Sequence, residues 1–167
     1  MAVVGGKHSG KTTVIEHLIA ELKSRKYHVG AFKEMVRIPT LDTPATETDR
    51  YTVAGAEVIV AVPMLETVVF IKKRLGLKEI LPYAEGLDYV LLEGFEHESA
   101  LPKIIAAKTA EEAERYLDGS AIAVSGLILE SEVETKKAKT LGLPMFKSLK
   151  QAKELTDLVE QKALIFS

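Results

Sequence analysis

Short apolar runs alternate along the chain with segments whose apolar residues recur at helical spacing. Residues 2–4 form an apolar run, and Val14, Leu18 and Leu22 then repeat on one side of residues 11–25. The first pattern is typical of a buried strand, and the second of an amphipathic helix. The chain therefore opens with a predicted strand, a glycine-rich loop and a helix.

The same alternation continues to the end of the chain. Further strands are predicted at residues 27–33, 57–62, 87–93, 103–107, 120–124 and 144–146. Helices are predicted at residues 77–85, 110–117, 132–141 and 149–162, whereas residues 67–73 suit either structure. Near-continuous apolar strands separated by helices predict an α/β fold with a mostly parallel sheet and helices on both faces. Because no repeat or linker divides the sequence, residues 1–167 are predicted to form a single domain.

The loop after the first strand matches the phosphate-loop pattern G-x-x-x-x-G-K-[ST] at each fixed position. It consists of Gly5, Gly6, Lys7, His8, Ser9, Gly10, Lys11 and Thr12. Its backbone N–H groups can converge on a phosphate at the positive end of the following helix. Lys11 is predicted to reach the β- and γ-phosphates, Thr12 to ligate Mg²⁺, and Thr13 to touch the α-phosphate. The strand before and the helix after the loop predict a P-loop NTPase fold.

A phosphate loop usually works with an acidic residue at the end of another core strand. Glu93 follows the apolar residues 89–92 and precedes Gly94. Because open α/β sheets bind ligands at the carboxyl ends of their strands, Glu93 is predicted to serve Mg²⁺ and, with Lys11, catalysis. The alternative is a solvent-facing glutamate at a strand end.

Several charged residues are open to two interpretations. The polar residues 34–50 form either an exposed connection or a segment that orders over Mg²⁺, with Asp42 as its candidate metal ligand. Lys7 and Lys103 can each contact an anionic ligand or be solvated. For His8 solvation is the favoured interpretation, because a lone histidine carries little information.

Composition narrows the classes of function. The net charge of −2 disfavours electrostatic binding to nucleic acid or to an anionic membrane. The absence of cysteine excludes thiolate metal sites, and no apolar run approaches the roughly 20 residues that span a bilayer. With no signal peptide recognised, a cytoplasmic location is expected. The N-K-x-D pattern that reads guanine in many GTPases is also absent, and residues 125–126 are the positional candidate for a base contact.

Three segments together resemble the molybdopterin-guanine dinucleotide biosynthesis protein B (MobB) family. They are VVGGKHSGKTTVIEHLIAELKSRKYHVGAFK, AGAEVIVAV and LDYVLLEGFEHESALPKI. The resemblance implies a small α/β protein that binds GTP at the loop, uses Thr12 and Glu93 for Mg²⁺, and forms a homodimer. It also implies a protein partner, the guanylyltransferase that joins GMP to molybdopterin.

The chain keeps part of the family's pattern in the middle segment and departs from it elsewhere. The frame is kept by Asp42, Pro44, Glu47, Arg50 and the Ala54-Gly55-Ala56 turn. Where the family usually has several histidines, Lys33 is followed here by residues 34–37 without histidine, and Ala45 and Thr46 replace the usual glycine and lysine. These departures concern any molybdopterin or metal contact of the histidines, not the nucleotide site.

Three functions compete at this point. The first is a GTP-binding accessory protein of molybdenum cofactor biosynthesis with slow Mg²⁺-dependent hydrolysis, to which Arg50 or Arg37 could lend an arginine finger. The second is an ATP-dependent small-molecule kinase or ligase with Asp42 or Asp49 as the base. The third, a metal-delivery protein, is disfavoured because the four histidines are scattered.

Overall fold

The computed structural model describes residues 1–36 and 38–164. The chain divides into two compact units, each described here by itself. The first comprises Met1–Glu34 and the described residues from Gly86 onward, and the second comprises the described residues of Met35–Glu85. Whether the two units make one domain, as the sequence predicts, stays a prediction.

The first unit is built on a five-stranded parallel sheet with strand order β2-β5-β1-β6-β7. Along the chain the strands are β1 (Ala2–Val4), β2 (Val29–Lys33), β3 (Val58–Ala61), β4 (Val68–Ile71), β5 (Tyr89–Glu93), β6 (Lys103–Ala106) and β7 (Ala121–Ser125). The first strand lies in the middle, between β5 and β6. Because the chain leaves β1 toward one edge and later crosses to the other, the ends of β1 and β5 form the crevice where such sheets bind ligands.

Helices connect the strands and follow the last of them. They are α1 (Lys11–Ser24), α2 (Glu47–Val53), α3 (Leu77–Ile80), α4 (Ala110–Arg115), α5 (Glu132–Ala138) and α6 (Ala152–Lys162). Arg25, just after α1, ties this helix to α6 by donating to Asp157 and Glu160 at 2.7 and 2.9 Å. Of the helices in the described ranges, none has both the length and the apolar character needed to cross a membrane.

Both faces of the parallel sheet are buried, as the continuous apolar strands predict. One face packs on Val14, Leu18 and Leu22 of α1 and on Leu155 and Val159 of α6. The strand residues that alternate with this face are also 0–2% exposed; they are Ala2, Val4, Leu92, Ile105 and Val124. The predicted α/β sheet with helices on both sides is therefore confirmed.

The second unit contains α2, α3 and a separate antiparallel pair, β3 with β4. The strand predicted at residues 57–62 is confirmed as β3, but β3 pairs with β4 and is not part of the parallel sheet. The six residues between β3 and β4 are too few for a parallel crossover, which needs a dozen or more. Alternating exposure also shows that β3 has one buried and one exposed face, since Val58 and Val60 are 57% and 56% exposed while Ile59 is 5% exposed. The ambiguous residues 67–73 contain β4.

Two other segments differ from the prediction. Residues 144–146 form only a single parallel bridge, between Met145 and Val124 of β7, rather than a strand. The polar residues 34–50 contain the start of α2, whose first turn is capped by the Thr46 hydroxyl accepting from the Asp49 N–H. Neither apolar periodicity nor length indicated this short helix.

The sequence left open whether Lys103 contacts a ligand or is solvated. In the structure this lysine is buried at the start of β6. Its ammonium donates to the Asp118 carboxylate at 2.7 Å and to the Glu96 carbonyl oxygen at 2.9 Å. The hydrogen bond from Lys103, followed by that from Ser120, lowers the pKa of Asp118 to about 2. Lys103 is therefore a structural cation, and its charge is balanced inside the fold.

We predict that Asp118→Asn lowers the free energy of unfolding at pH 7 by about 1–2 kcal/mol, a value reduced for the partial exposure of Asp118. Because the pKa is depressed in the folded state, this contribution is present above the ordinary value of 3.8 and is lost as the pH falls toward 2. Urea unfolding between pH 7 and 3 measures the difference. Asp157→Asn, which alters a more exposed ion pair, is the control with a smaller effect. A difference between Asp118→Asn and the parent that grew with acid would contradict the assignment.

Candidate functional site

The glycine-rich loop (residues 5–12) connects the central strand β1 to α1 at the carboxyl edge of the parallel sheet. A cavity of about 450 Å³ opens there. It is lined by residues 7–13 together with Lys33, Glu93 and Leu127. The structure thus brings most of the predicted loop residues, Thr13 and Glu93 to one cavity.

The backbone of the loop lies directly against the ends of β6 and β7. Gly5 has φ +144°, and a Cβ there would collide with the carbonyl oxygen of Ala106. Gly126 has φ +87°, and a Cβ there would collide with the Ser9 carbonyl oxygen and lie 3.0 Å from the Ala107 nitrogen. Both positions need glycine for its conformation and for the close approach of two backbones.

Hydrogen bonds hold the loop in this position. The Leu127 N–H donates to the Ser9 carbonyl oxygen at 3.1 Å. The Lys108 ammonium donates to the Lys7 carbonyl oxygen at 3.1 Å, and the Glu112 carboxylate, which accepts from the Lys108 N–H, fills the space beside Gly6. The loop is therefore held by two neighbouring segments as well as by its own strand and helix.

The start of α1 differs from the starts of α2, α4 and α5. Those three helices are capped by the side chains of Thr46, Thr109 and Ser131. The residue before α1 is Gly10, which has no side chain to accept from the N–H groups of the first turn, and that turn carries no acid. An uncapped helix start is a ready place for an anion, because its N–H groups and its dipole both favour negative charge.

Ser9 and Lys11 complete the polar interior of the loop. Ser9 is fully buried, and among the described residues its hydroxyl has no hydrogen-bond partner. The Lys11 ammonium donates to the carbonyl oxygens of Gly5 and Gly6 at 3.0 and 2.6 Å. Burial lowers the pKa of Lys11, an effect that the nearby Glu93 carboxylate opposes. His8 and Lys7 are exposed, and His8 adopts a positive φ of 58°.

Glu93 faces the loop from the end of β5. Its carboxylate accepts from the Thr12 hydroxyl at 3.2 and 3.0 Å, and its Oε1 lies 2.9 Å from the ammonium of Lys33. The alternative of a solvent-facing glutamate is wrong, since the Glu93 side chain is only 11% exposed. Lys33 is a site residue that sequence reasoning missed. Its position at the end of a predicted strand was the available signal, but the pairing of β2 with β5 was not predictable.

These residues fit a polyphosphate and a hard divalent cation. A glycine-rich loop, an uncapped helix start and three cavity lysines suit anionic oxygens. The oxygen of Thr12 keeps lone pairs for a cation while its hydrogen is donated to Glu93, and Mg²⁺ prefers such oxygen ligands. Within residues 1–36 and 38–164, no cluster of three or more His, Asp or Glu offers an alternative metal site.

Asp42, the third predicted metal ligand, lies in the other unit. Its carboxylate accepts from the Lys72 ammonium and from the Thr48 hydroxyl, both at 2.7 Å. The hydrogen bond from Lys72, then that from Thr48, lowers the pKa of Asp42. Its role toward Mg²⁺ stays a prediction. Arg37 lies outside the described residues, and Arg50 is exposed on α2.

Residues 125–126, the positional candidate for a base contact, do not line the cavity. Ser125 is fully buried, and its hydroxyl donates to the Phe146 carbonyl oxygen at 2.7 Å. Gly126 packs against the loop, so the next residue, Leu127, is the one that lines the cavity. Leu127 is 50% exposed and offers an apolar surface rather than a hydrogen-bonding one.

The parallel sheet and its glycine-rich loop define an α/β protein with a P-loop NTPase-like fold. The sequence model of the family described as molybdopterin guanine dinucleotide synthesis protein B matches residues 1–126. The chain therefore belongs to the MobB family, as its motifs suggested.

Two relatives support this membership. A protein of Methanocaldococcus jannaschii is 30% identical over 129 residues, 74% of this chain, and one of Bacillus subtilis is 28% identical over 148 residues, 86% of this chain. Both are named as molybdopterin-guanine dinucleotide biosynthesis adapter proteins. The match spans 53% of the length of the first relative and 82% of the second.

Solved structures share the fold. The crystal structure of Bacillus subtilis MobB has a TM-score of 0.75 and 24% identity, covering 98% of this chain and 96% of that one. A MobB homologue from Bacillus stearothermophilus has a TM-score of 0.67 and 22% identity, covering 96% and 94%. At these identities the likeness establishes the fold alone.

We predict that Gly126→Ala lowers the free energy of unfolding by about 3–4 kcal/mol, because a Cβ adds a backbone collision to the strain of a positive φ. Gly142→Ala is the matched control. Gly142 also has a positive φ, 69°, but a Cβ there has no neighbour within 4 Å, so about 1–2 kcal/mol is expected. Chemical denaturation measures both. Equal losses for the two variants would show that the contact with Ser9 contributes nothing.

Proposed function

We propose that this chain is a GTP-binding adapter of molybdopterin-guanine dinucleotide biosynthesis that acts in the cytoplasm with Mg²⁺. The observation that carries the proposal is the hydrogen bond from Thr12, at the start of α1, to Glu93, at the end of the neighbouring β5. This hydrogen bond joins the loop that matches the phosphate-loop pattern to a buried acid. The pathway is supported by the family description and by the names of the two relatives.

In this function the chain's own residues bind and orient a nucleoside triphosphate. The loop N–H groups and the first turn of α1 would bind the phosphates, and Lys11 would exchange its two carbonyl contacts for phosphate oxygens. Thr12 would hold Mg²⁺ with Glu93 behind it. When bound, Mg²⁺ would neutralise charge on the phosphate oxygens.

Slow rather than fast hydrolysis is the expectation. Glu93 is the one acid among the described residues that line the cavity, and both Thr12 and Lys33 engage its carboxylate. A general base needs a free oxygen within reach of the attacking water. A site without such a base suits an adapter that binds a nucleotide for a partner enzyme, here the guanylyltransferase that joins GMP to molybdopterin.

The alternative, a small-molecule kinase or ligase with an aspartate base, gains no support from the described residues. The Asp42 carboxylate is engaged by Lys72 and Thr48, and the Asp49 carboxylate accepts from the Ala45 N–H at 2.8 Å. Both candidate bases are therefore committed to local structure.

We predict that fluorescent GTP binds this chain in the presence of Mg²⁺ and that Lys11→Ala weakens binding by about 100-fold, because a charge-assisted phosphate contact is lost (~2.7 kcal/mol). Isothermal titration with GTP and ATP measures affinity and base preference. Lys26→Ala, which removes an exposed lysine in the turn after α1, is the control. Unchanged affinity in Lys11→Ala would overturn the site, and selective ATP binding with phosphoryl transfer to a metabolite would overturn the function.

The partner is tested by reconstitution. Guanylylation of molybdopterin by the guanylyltransferase is measured with and without this chain, each with GTP and Mg²⁺. Stimulation by the parent chain that Lys11→Ala fails to give supports the adapter role. An unchanged rate with the parent chain, added in excess, contradicts it.

A homodimer is part of the proposal, and the β3–β4 hairpin is the surface we assign to it. Within the described part of the chain, β3 and β4 pair only with each other. The hairpin nevertheless exposes large apolar side chains: Val58, Val60, Val62, Met64, Leu65 and Val69. An isolated two-stranded hairpin is marginally stable, and an identical hairpin from a second copy could cover this face symmetrically.

We predict that the parent chain is a dimer by light scattering and that Val60→Lys shifts it to a monomer, because a charge at the centre of an apolar interface must be desolvated. Val133→Lys, an equally apolar exposed position on α5, is the control and should leave the mass unchanged. A parent chain that is monomeric at micromolar concentration, or a dimer that tolerates Val60→Lys, would contradict the assignment.

A further inference from the structure

The carboxylate of Glu93 is shared by two donors of different kinds. Its Oε1 lies 2.9 Å from the ammonium of Lys33 and 3.2 Å from the hydroxyl oxygen of Thr12, and its Oε2 lies 3.0 Å from the same hydroxyl. Lys33 and Glu93 are direct neighbours in the register of β2 and β5. The sheet therefore brings a cation to the place where the loop hydroxyl meets the acid.

We propose that Lys33 is a displaceable counter-ion of Glu93. In this proposal, which rests on the proposed nucleotide site, its ammonium occupies the position beside Glu93 that a divalent cation takes when one binds through Thr12. Pairing of Lys33 with Glu93 and metal binding are then mutually exclusive. The ammonium that the metal displaces is free to contact anionic phosphate oxygens in the same cavity.

The burial of the two partners favours this exchange. The Glu93 side chain is 11% exposed and the Lys33 side chain is 48% exposed. A carboxylate that is nearly buried needs a positive partner, because an unpaired buried charge is costly. A half-exposed lysine keeps much of its hydration, so it can leave an ion pair at little cost. The acid is therefore fixed and the cation can be replaced.

The charged residues of the cavity also favour displacement of Lys33 by a metal ion. Three lysines, Lys7, Lys11 and Lys33, line it together with one acid, Glu93. Lys11 donates its hydrogen bonds to the carbonyl oxygens of Gly5 and Gly6, and Glu93 acts on it only through the electrostatic field. Lys33 is therefore the lysine whose position depends on the acid and responds to a metal ion there.

The test uses Mn²⁺ as the probe and the full chain, with and without fluorescent GTP. Electron paramagnetic resonance measures Mn²⁺ affinity in the parent chain, in Lys33→Met and in Lys7→Met. Lys33→Met removes the competing ammonium, so we expect Mn²⁺ to bind about tenfold more tightly, ~1.4 kcal/mol. Lys7→Met removes the same charge from the same cavity without an ion pair to Glu93, so it reports the long-range field alone and should change the affinity less.

A second readout separates displacement from a general change in the fold. Without metal, Lys33→Met should unfold at a lower temperature than the parent because Glu93 loses its partner, and Mn²⁺ alone should raise the melting temperature of the variant more than that of the parent. Equal or weaker Mn²⁺ binding by Lys33→Met, an equal gain in Lys7→Met, or no Mn²⁺ binding by any of the three proteins would overturn the inference. Failure of GTP to bind the parent chain would instead count against the proposed function. The Mn²⁺ titrations without nucleotide would still test whether Lys33 competes with a metal ion.

Discussion

The close approach of two backbone segments, around Ser9 and Gly126, is the constraint on which the site depends. With no side chain at Gly126, the loop lies against the end of β7, and Gly5 makes the same approach to Ala106 at the end of β6. The loop is thereby fixed relative to the sheet on the side opposite Glu93. Loop amides, Thr12 and the acid can then face one cavity without any of them being on a free loop.

In both units the buried charged side chains form ion pairs, but these pairs serve different purposes. Buried ionic groups are each given a partner, as in Lys103 with Asp118 and Asp42 with Lys72. At the loop the buried acid Glu93 pairs with the half-exposed Lys33 and also accepts from the Thr12 hydroxyl of the loop. This shared acceptor separates the pair that belongs to the site from the ion pairs that hold the fold.

Local sequence patterns were sufficient to predict most elements of the first unit. The spacing of Val14, Leu18 and Leu22 predicted α1, the match at residues 5–12 predicted the loop, and the apolar approach to Glu93 predicted its place at a strand end. Strand partners were not predictable, because pairing depends on contacts between distant residues. Sequence reasoning therefore did not separate β3 from the parallel sheet, overlooked Lys33, and offered residues 125–126 for a base contact although Leu127 is the next residue that lines the cavity.

The missing cap of α1 has a consequence for the dynamics of the helix. The helices α2, α4 and α5 complete their first turns with hydroxyls of their own, as Thr46 does for α2, whereas Gly10 leaves the first amides of α1 without one. A phosphate bound there would act as the absent cap. Ligand binding would then be recorded by amide hydrogen exchange as slower exchange in the first turn of α1.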